Sequence, residues 1–326
     1  MQENMENRRR HMIGVLSTLV GASLWGFSGT CSQFLLANYA ISSLFITLAR
    51  MVGSALIFLV IILARNRSVI SEIMRDRASR RQLMLFGVFG LFMSQITYVI
   101  TIGYTNAGTA TVLQSTNIVM IMVIICIAAR RAPRAAELVG LVLAFVATVL
   151  VATKGDLGSI SIPAAGLAWG LLSAVAAAGY SMLPKPLYPK WGSFTVVGLG
   201  MAVGGVVAAA LWGFAFAFPS IDSVASAGNP MGTALVPALD AWGVGVLAVI
   251  IVFGTFGAFY LFLNGISMVG PVQGSQLGAI EPVSATVCSA LIMGTTFLAA
   301  DWVGLVLMVA TIIIVAAGSG KTEIQS

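Results

Sequence analysis

The chain contains Ala135-Ala136-Glu137-Leu138-Val139-Gly140-Leu141-Val142-Leu143 and, 164 residues further on, a near copy, Ala299-Ala300-Asp301-Trp302-Val303-Gly304-Leu305-Val306-Leu307. The third position is acidic in both copies, Glu137 in the first and Asp301 in the second. Two shorter pairs align at the same offset: Phe89-Gly90 with Phe253-Gly254, and Asn117-Ile118 with Glu281-Pro282. A match of this extent indicates that one structural unit was duplicated, so we expect two halves of similar fold.

The composition is that of a membrane protein. Of the 326 residues 59% are hydrophobic and only 9% are charged, which leaves more apolar surface than a soluble core can bury. The apolar runs are about twenty residues long, enough to cross a hydrocarbon core of about 30 Å as helices. We predict an all-α integral membrane protein with ten spans, at 12–36, 41–64, 83–104, 107–128, 137–153, 163–183, 193–217, 241–266, 272–296 and 300–317.

The basic residues predict the orientation of these spans. If the N-terminus is cytoplasmic, 15 of the 17 Lys and Arg residues fall in segments on the inner side. Lys154 falls outside and Arg50 lies within a span, whereas the longest outer loop, 218–240, contains Asp222 and Asp240 and no cation. This asymmetry follows the positive-inside rule and places both termini in the cytoplasm.

The odd number of spans in each half determines how the two halves are oriented relative to each other. Each half, 12–153 and 163–317, holds five spans, so the second half must enter the membrane from the opposite side. Earlier in each half a weaker match has an offset of 153, aligning Gly26-Phe27-Ser28 with Gly179-Tyr180-Ser181. Extra length in the 218–240 loop accounts for the difference of 11 residues. Inverted repeats of this kind are typical of secondary transporters. The rest of the chain is assigned to a cytoplasmic tail at 1–11, a linker at 154–162 and a second tail at 318–326.

In this arrangement the residues resemble the EamA family of the drug/metabolite transporter superfamily. The motifs that carry the resemblance are Trp25-Gly26, Arg50 in the second span, Glu281-Pro282 in the ninth, and Gly140 and Gly304 in the fifth and tenth. The chain departs from the family pattern by having Asn117-Ile118 where a proline is usual. It also lacks the usual Glu at the ends of spans four and nine. The resemblance implies export of amino acids or other small metabolites by alternating access.

Glu281 is the sharpest candidate for a transport residue. It lies roughly 13 Å into its span at 1.5 Å per residue, where a carboxylate is costly unless it serves a function or is paired. Asn117 holds the equivalent place in the first half, so we expect the two to face each other. Glu281 is either a substrate-amine partner or protonatable coupling group, or a buried acid tied to a neighbour for structure. Pro282 is expected to kink the ninth span.

Arg50 is the only cation within a predicted span, also near mid-depth. The sequence is compatible with three roles for Arg50: a permanent ion pair with Glu281, bidentate hydrogen bonds to a substrate carboxylate, or hydrogen bonds to backbone carbonyls at a helix break. Other candidates for the cavity wall recur at helical spacing or at repeat-equivalent positions; they are Gln95, Tyr98, Gln114, Trp25, Tyr180 and Tyr260. For each of these, hydrogen bonding or packing between helices is the alternative.

The function predicted from these residues is secondary export of a small metabolite across the cytoplasmic membrane. The leading substrate is an amino acid or an amino-acid derivative. A multidrug or nucleoside exporter of the same fold, a membrane-embedded enzyme acting on a lipid-linked substrate, and a passive channel are the alternatives. We expect no enzyme activity, cofactor, metal or nucleic acid. The partners would be a small-molecule substrate, membrane lipids, and a proton or substrate gradient for coupling. The basic segment from Arg65 to Arg81 is expected to contact anionic headgroups.

Overall fold

The computed structural model describes residues 2–156, 161–218 and 236–323, and the regular elements within them are helices. We number ten long helices: α1 (Gln2–Asn38), α2 (Ser43–Arg65), α3 (Arg77–Tyr104), α4 (Ala107–Ala128), α5 (Ala135–Thr153), α6 (Ala164–Met182), α7 (Ser193–Ala217), α8 (Ala241–Val269), α9 (271–293) and α10 (Ala299–Glu323). Two short helices, Ser68–Arg75 and Tyr188–Trp191, lie before α3 and α7.

Eight of these helices contain segments that are long and apolar enough to cross a membrane. The other two, α5 and α10, supply shorter apolar segments, Glu137–Thr153 and Ala299–Val315. The chain is therefore a multi-pass α-helical membrane protein, as predicted. Membrane crossing by all ten helices, and the side on which the termini lie, stay predictions.

Three sequence-based assignments lie partly outside the described residues. They are the 218–240 loop with Asp222, across 219–235, the linker 154–162, across 157–160, and the C-terminal tail, across 324–326. Residues 2–11 of the segment predicted to be the N-terminal tail are helical and form the start of α1.

The helices pack in the pattern expected of two similar halves. Helix α1 packs on α8 and α9, and its repeat mate α6 packs on α3 and α4, which are the mates of α8 and α9. Three further pairs, α2 with α7, α4 with α9 and α5 with α10, each join a helix to its own mate. Helix α7 also packs on α3, as its mate α2 packs on α8. Exchanging the two halves therefore converts each of these main pairs into itself or into another of them.

The irregular points of the helices also repeat. Helix α3 contains a π-helical turn at Phe86–Phe92, and α8 contains one at Val252–Gly257, around the aligned Phe-Gly pairs. Helix α4 is interrupted at Thr116 and α9 at Ala279. Such interruptions are common at functional sites because they leave backbone groups free and re-aim side chains.

The doubled stretch at 135–143 and 299–307 forms helix N-termini. The Glu137 carboxylate accepts a hydrogen bond from the backbone N–H of Arg134 at 2.7 Å, and Asp301 accepts one from Leu298 at 2.9 Å. Residues 134 and 298 are themselves 164 apart, so each acidic residue caps its helix in the same way. The acid in each copy of the stretch is therefore explained by helix capping.

Candidate functional site

A cavity of about 120 Å³, which we call the central cavity, lies where helices of both halves meet. Its wall is formed by side chains of α1, α2, α3, α4, α6, α8 and α9. The lining residues are Trp25, Arg50, Leu91, Ser94, Gln95, Tyr98, Gln114, Asn117, Ala177, Tyr180, Ser181, Phe259 and Glu281. The structure thus brings together residues that are up to 256 positions apart in the sequence.

Arg50 is the buried cation of this cavity, with only 2% of its surface exposed. Its Nε donates to Thr255 Oγ1 and its Nη2 donates to Ser28 Oγ, both at 3.2 Å. Thr255 belongs to the π-helical turn of α8, so the guanidinium joins α2 to α8 and α1. The Nη1 atom has no hydrogen-bond partner among the residues that the structure describes. This leaves two unused donors on a buried guanidinium that borders the cavity.

Glu281 and Asn117 lie directly after the two helix interruptions. Asn117 begins the second segment of α4, Asn117–Ala128, and Glu281 is the second residue of the corresponding segment of α9, Ile280–Met293. A carboxylate in the first turn of a helical segment is favoured by the helix dipole. Both side chains border the central cavity, as their equivalent positions in the two halves predict.

The interruptions themselves have different causes. Pro282 lacks an N–H for the carbonyl of Gly278, and α9 breaks beside it at Ala279. In α4, which has no proline at this place, the hydroxyl of Thr116 donates to the carbonyl of Leu113 at 2.7 Å and competes with the helical bonds. The chain therefore makes the same break twice with different chemistry.

Arg50 and Glu281 do not form an ion pair. Ion pairs join Arg131 to Glu137 and Lys190 to Asp76, and neither Arg50 nor Glu281 takes part in one with a described residue. No protein hydrogen bond to the Glu281 carboxylate occurs there either, and the Glu281 side chain is partly accessible from the cavity. One of the three roles predicted for Arg50, a permanent ion pair with Glu281, is therefore not observed in the structure.

One wall of the central cavity is aromatic. The Phe259 ring meets Trp25 edge-on, with centroids 4.9 Å apart, and Tyr180 edge-on at 5.9 Å. Trp25 is followed by Gly26, where a side chain would collide with α9, since a Cβ would lie 2.5 Å from the carbonyl oxygen of Glu281. The Trp25-Gly26 motif therefore places an aromatic ring beside the acidic residue.

Gln114 and Tyr98 each combine the two alternatives predicted from the sequence, cavity lining and hydrogen bonding between helices. Tyr98 shares a hydrogen bond of 2.8 Å with Thr111, and Gln114 donates to Ser173 at 2.8 Å, so both connect helices. Both also border the cavity, as does Gln95. Interhelical bonding and cavity lining are thus combined in the same side chains.

Tyr260 is placed away from this site. It is 40% exposed and packs on Phe256 and Phe194, with ring centroids 6.2 Å apart in both pairs. The residue of α8 that faces the central cavity is its neighbour Phe259.

Several lining residues escaped the sequence reasoning. Leu91 and Ser94 lie one helical turn from Gln95 and Tyr98, and Ser181 follows Tyr180 in the aligned Gly-Tyr-Ser stretch. Spacing around residues already chosen could have found them. Phe259 could have been predicted from the repeat, because it lies 164 residues after Gln95 and is therefore its equivalent in the second half.

A hydrogen-bond cluster lies beyond the cavity, at the helix ends predicted to face outward. Gln33 of α1 accepts from the Ala107 N–H at 2.9 Å and from the Ser289 hydroxyl at 2.8 Å, and it donates to Thr295 at 3.1 Å. These four residues, which we call the outer cluster, tie the ends of α1, α4 and α9 together. Polar contacts between the two halves therefore join these helix ends on one side of the cavity.

Comparison with known proteins agrees with this architecture. The model of the EamA-like transporter family matches the chain twice, over residues 12–153 and 164–317. An uncharacterized inner membrane transporter, YicL of Salmonella typhimurium, is 31% identical over 310 residues, which cover 94% of this chain and 96% of that protein. A crystal structure with 15% sequence identity matches 94% of this chain and 98% of its own with a TM-score of 0.60, which supports the fold alone.

Proposed function

Since the chain belongs to the EamA-like transporter family and is a membrane transporter, we propose that it exports a small metabolite by secondary transport, an amino acid or derivative first. The related protein from Salmonella is named for the inner membrane, and we propose the same location here. The observation that carries the proposal is the central cavity, in which the buried Arg50 has no partner for Nη1 and the Glu281 carboxylate has no hydrogen bond or ion pair among the described residues.

The charges of the cavity complement a zwitterion. Arg50 offers unused donors on Nη1, which suit a carboxylate, and the Glu281 carboxylate is available to an ammonium group. A free amino acid carries both groups on one carbon. An empty cavity of about 150 Å³ accepts benzene, so a volume of about 120 Å³ favours a ligand with few heavy atoms.

Alternating access is the mechanism that the repeats support. The outer cluster closes one end of the cavity, and its repeat equivalents cannot rebuild it at the other end, because Ile125 and Arg131 stand at the positions of Ser289 and Thr295. We propose that the halves rock about the central cavity, with the paired interruptions of α4 and α9 as the points that bend.

Glu281 is the group we propose for coupling to a proton gradient. A carboxylate at mid-depth without a protein partner can bind either a proton or the substrate ammonium, so the two compete for one site. The test is transport by Glu281→Gln in proteoliposomes with and without a pH gradient, with Glu6→Gln in the exposed start of α1 as control. Loss of the response to the gradient only in Glu281→Gln supports the coupling role, and an unchanged response excludes it.

Counterflow distinguishes the classes of function. Proteoliposomes loaded with an unlabelled amino acid should accumulate the same labelled amino acid against its gradient. A passive channel gives electrical conductance and no such trans-stimulation, and an enzyme gives a chemically altered product. Absence of counterflow across a panel of small neutral amino acids would overturn the amino-acid proposal.

The aromatic wall supports a second candidate within the same fold. Trp25, Tyr180 and Phe259 present ring surfaces on which a nucleobase or an aromatic cation can stack. A thermal-shift screen over amino acids, nucleosides and cationic drugs separates the two, because a bound ligand stabilises the folded carrier by mass action. Stabilisation by nucleosides or drugs alone would favour the second candidate.

A further inference from the structure

A second cavity, which we call the lateral cavity, lies apart from the transport site at the end of α2. Its volume is about 360 Å³, three times that of the central cavity. It is lined by Ile62, Arg65, Asn66, Val69, Glu72, Lys190, Trp191, Phe194 and Thr195. These residues come from the end of α2, the short helix Ser68–Arg75, the connection from α6 to α7, and the start of α7.

Arg65 is held in place in the lateral cavity without being neutralised. Its guanidinium carbon lies 5.5 Å from the centroid of the Phe194 ring, in a cation–π contact. Within residues 2–156, 161–218 and 236–323 it makes no ion pair. An aromatic face orients the planar guanidinium and leaves its N–H edges free, which is the arrangement that binds phosphate oxygens in a fork.

Glu72 is the matching anion of the lateral cavity. Its Oε1 lies 2.6 Å from the Ser68 hydroxyl, whose one proton is shared with Asn66 Oδ1 at 2.9 Å, and the backbone N–H of Ser68 also donates to Asn66. Lys190, the other cation, is already neutralised by Asp76 at 2.6 Å. Once Lys190 is paired with Asp76, the lining leaves one cation, Arg65, and one anion, Glu72, without an ion-pair partner among the described residues.

The lateral cavity adjoins exposed aromatic surface. Phe194, on which the Arg65 guanidinium lies, meets the ring of Tyr260 edge-on, and Tyr260 is 40% exposed. Tyr260 also stacks on Phe256 of α8. A tyrosine between apolar helix surface and charged residues is typical of the boundary between acyl chains and headgroups.

We propose that the lateral cavity binds a zwitterionic phospholipid with a primary ammonium group, of the phosphatidylethanolamine type. The phosphodiester lies on the free edge of Arg65, the ammonium donates to Glu72, and the acyl chains follow the apolar surface of α8 beside Tyr260. Phosphatidylglycerol carries the same phosphodiester charge but has no ammonium group to neutralise Glu72, and a trimethylated headgroup has no N–H to donate. The site is independent of what the transporter carries.

Native mass spectrometry of the full chain in detergent tests this assignment. Phosphatidylethanolamine, phosphatidylcholine and phosphatidylglycerol with the same acyl chains are titrated separately, and the first bound lipid is counted. We expect at least a five-fold preference for phosphatidylethanolamine. Equal binding of the three lipids, or a preference for phosphatidylglycerol, would overturn the proposal.

Two variants and a soluble competitor locate the site. Arg65→Gln should lower phosphatidylethanolamine binding at least five-fold, whereas Arg67→Gln, an exposed neighbour that does not line the cavity, should leave it unchanged. Glu72→Gln should abolish the preference over phosphatidylglycerol. Equal effects of Arg65→Gln and Arg67→Gln would show only a diffuse basic surface and reject the site. Displacement of the lipid by phosphoethanolamine at millimolar concentration would identify a soluble ligand instead.

Discussion

Asp76 and Asp240 occupy equivalent positions in the two halves, 164 residues apart, and each binds the loop that follows the first helix of the other half. Asp76, before α3, accepts a hydrogen bond from Lys190 at 2.6 Å. Asp240, before α8, accepts one from the Tyr39 hydroxyl at 2.7 Å. Because α3 packs on α6 and α8 on α1, each bond closes the end of a helix pair that contains one helix from each half. If the topology predicted from the charges holds, the two bonds lie on opposite sides of the membrane.

The Asp76 bond should make stability depend on pH in acid. The hydrogen bond and ion pair with Lys190 lower the pKa of Asp76 to about 2, below the usual value of about 3.9 in an unfolded chain. Its contribution is therefore complete above about pH 4 and disappears as the pH falls towards 2. We expect Asp76→Asn to lower the melting temperature at pH 7 and to melt like the wild type near pH 2. Lys190→Met should reproduce this pattern, and a difference that does not vary with pH would contradict it.

The equivalent bond at Asp240 should respond to a different set of substitutions. The backbone N–H of Gly243 and the Tyr39 hydroxyl both donate to Asp240 and lower its pKa, so this residue is both a helix cap and a partner for the loop. Asn caps helices as well as Asp does. We expect Asp240→Ala to lower the melting temperature most, Tyr39→Phe less, and Asp240→Asn least. A melting temperature of Asp240→Asn as low as that of Asp240→Ala would show that the negative charge, and not the cap, matters here.

The central cavity shows which residues the sequence could and could not locate. Glu281, Asn117 and Arg50 were predictable because the fixed rise of a helix gives depth, and the repeat indicates which residues face each other. Tyr260 was misplaced because α8 is apolar on every side, so polarity and spacing do not reveal which face points inward. The π-helical turn at Val252–Gly257 also turns the residues after it, which an ideal helical period does not anticipate. The repeat offset would have corrected this, since Tyr260 aligns with Ile96 and Phe259 with Gln95.

The closing contacts of the fold were less predictable. Gln33, Ser289 and Thr295 meet only because the ends of α1 and α9 converge in space, and no local pattern marks a glutamine whose partners are more than 250 residues away. The break in α4 was likewise hidden, because Thr116 produces it without a proline. Residues of the central cavity could be predicted from their position within a span and from the repeat. Hydrogen bonds between distant helix ends could not, because they depend on the tertiary structure.

Arg50 should determine recognition of a substrate carboxylate. Lys at this position keeps the positive charge but cannot form bidentate hydrogen bonds with a carboxylate. We therefore expect Arg50→Lys to reduce amino-acid counterflow about ten-fold, which corresponds to about 1.4 kcal/mol. The decisive measurement is the ratio of transport of an amino acid to that of its decarboxylated amine, which should fall in Arg50→Lys. Thr255→Val and Ser28→Ala remove the protein partners of Arg50 and should preserve this ratio. An equal loss of both substrates in Arg50→Lys would indicate a purely structural role.

Gln33 should hold the outer end of the cavity shut. Gln33→Leu removes the central member of the outer cluster, so conformations open on that side should become more populated. The measurement is the rate at which a membrane-impermeant thiol reagent, added outside, labels Ser94→Cys in a chain lacking Cys31, Cys126 and Cys288. We expect a several-fold rise with Gln33→Leu. Gln82→Leu breaks a bond to the carbonyl of Leu183 at the opposite end of α3 and serves as the control. Equal labelling in both variants would show that the outer cluster does not gate the cavity.

The two acidic caps should differ in their effect on stability although they are equivalent in the repeat. Glu137 binds Arg131 through two hydrogen bonds of 2.7 and 2.8 Å, whereas one oxygen of Asp301 is buried without a partner in the described part of the chain. Glu137→Gln breaks a charged pair and should cost about 1–2 kcal/mol. Asp301→Asn keeps an oxygen for the Leu298 N–H and removes an uncompensated charge, so it should cost less than about 0.5 kcal/mol. Unfolding in mixed detergent micelles measures both, and Arg131→Gln should match Glu137→Gln; equal losses at 137 and 301 would show that capping, and not the pair with Arg131, is the main contribution of Glu137.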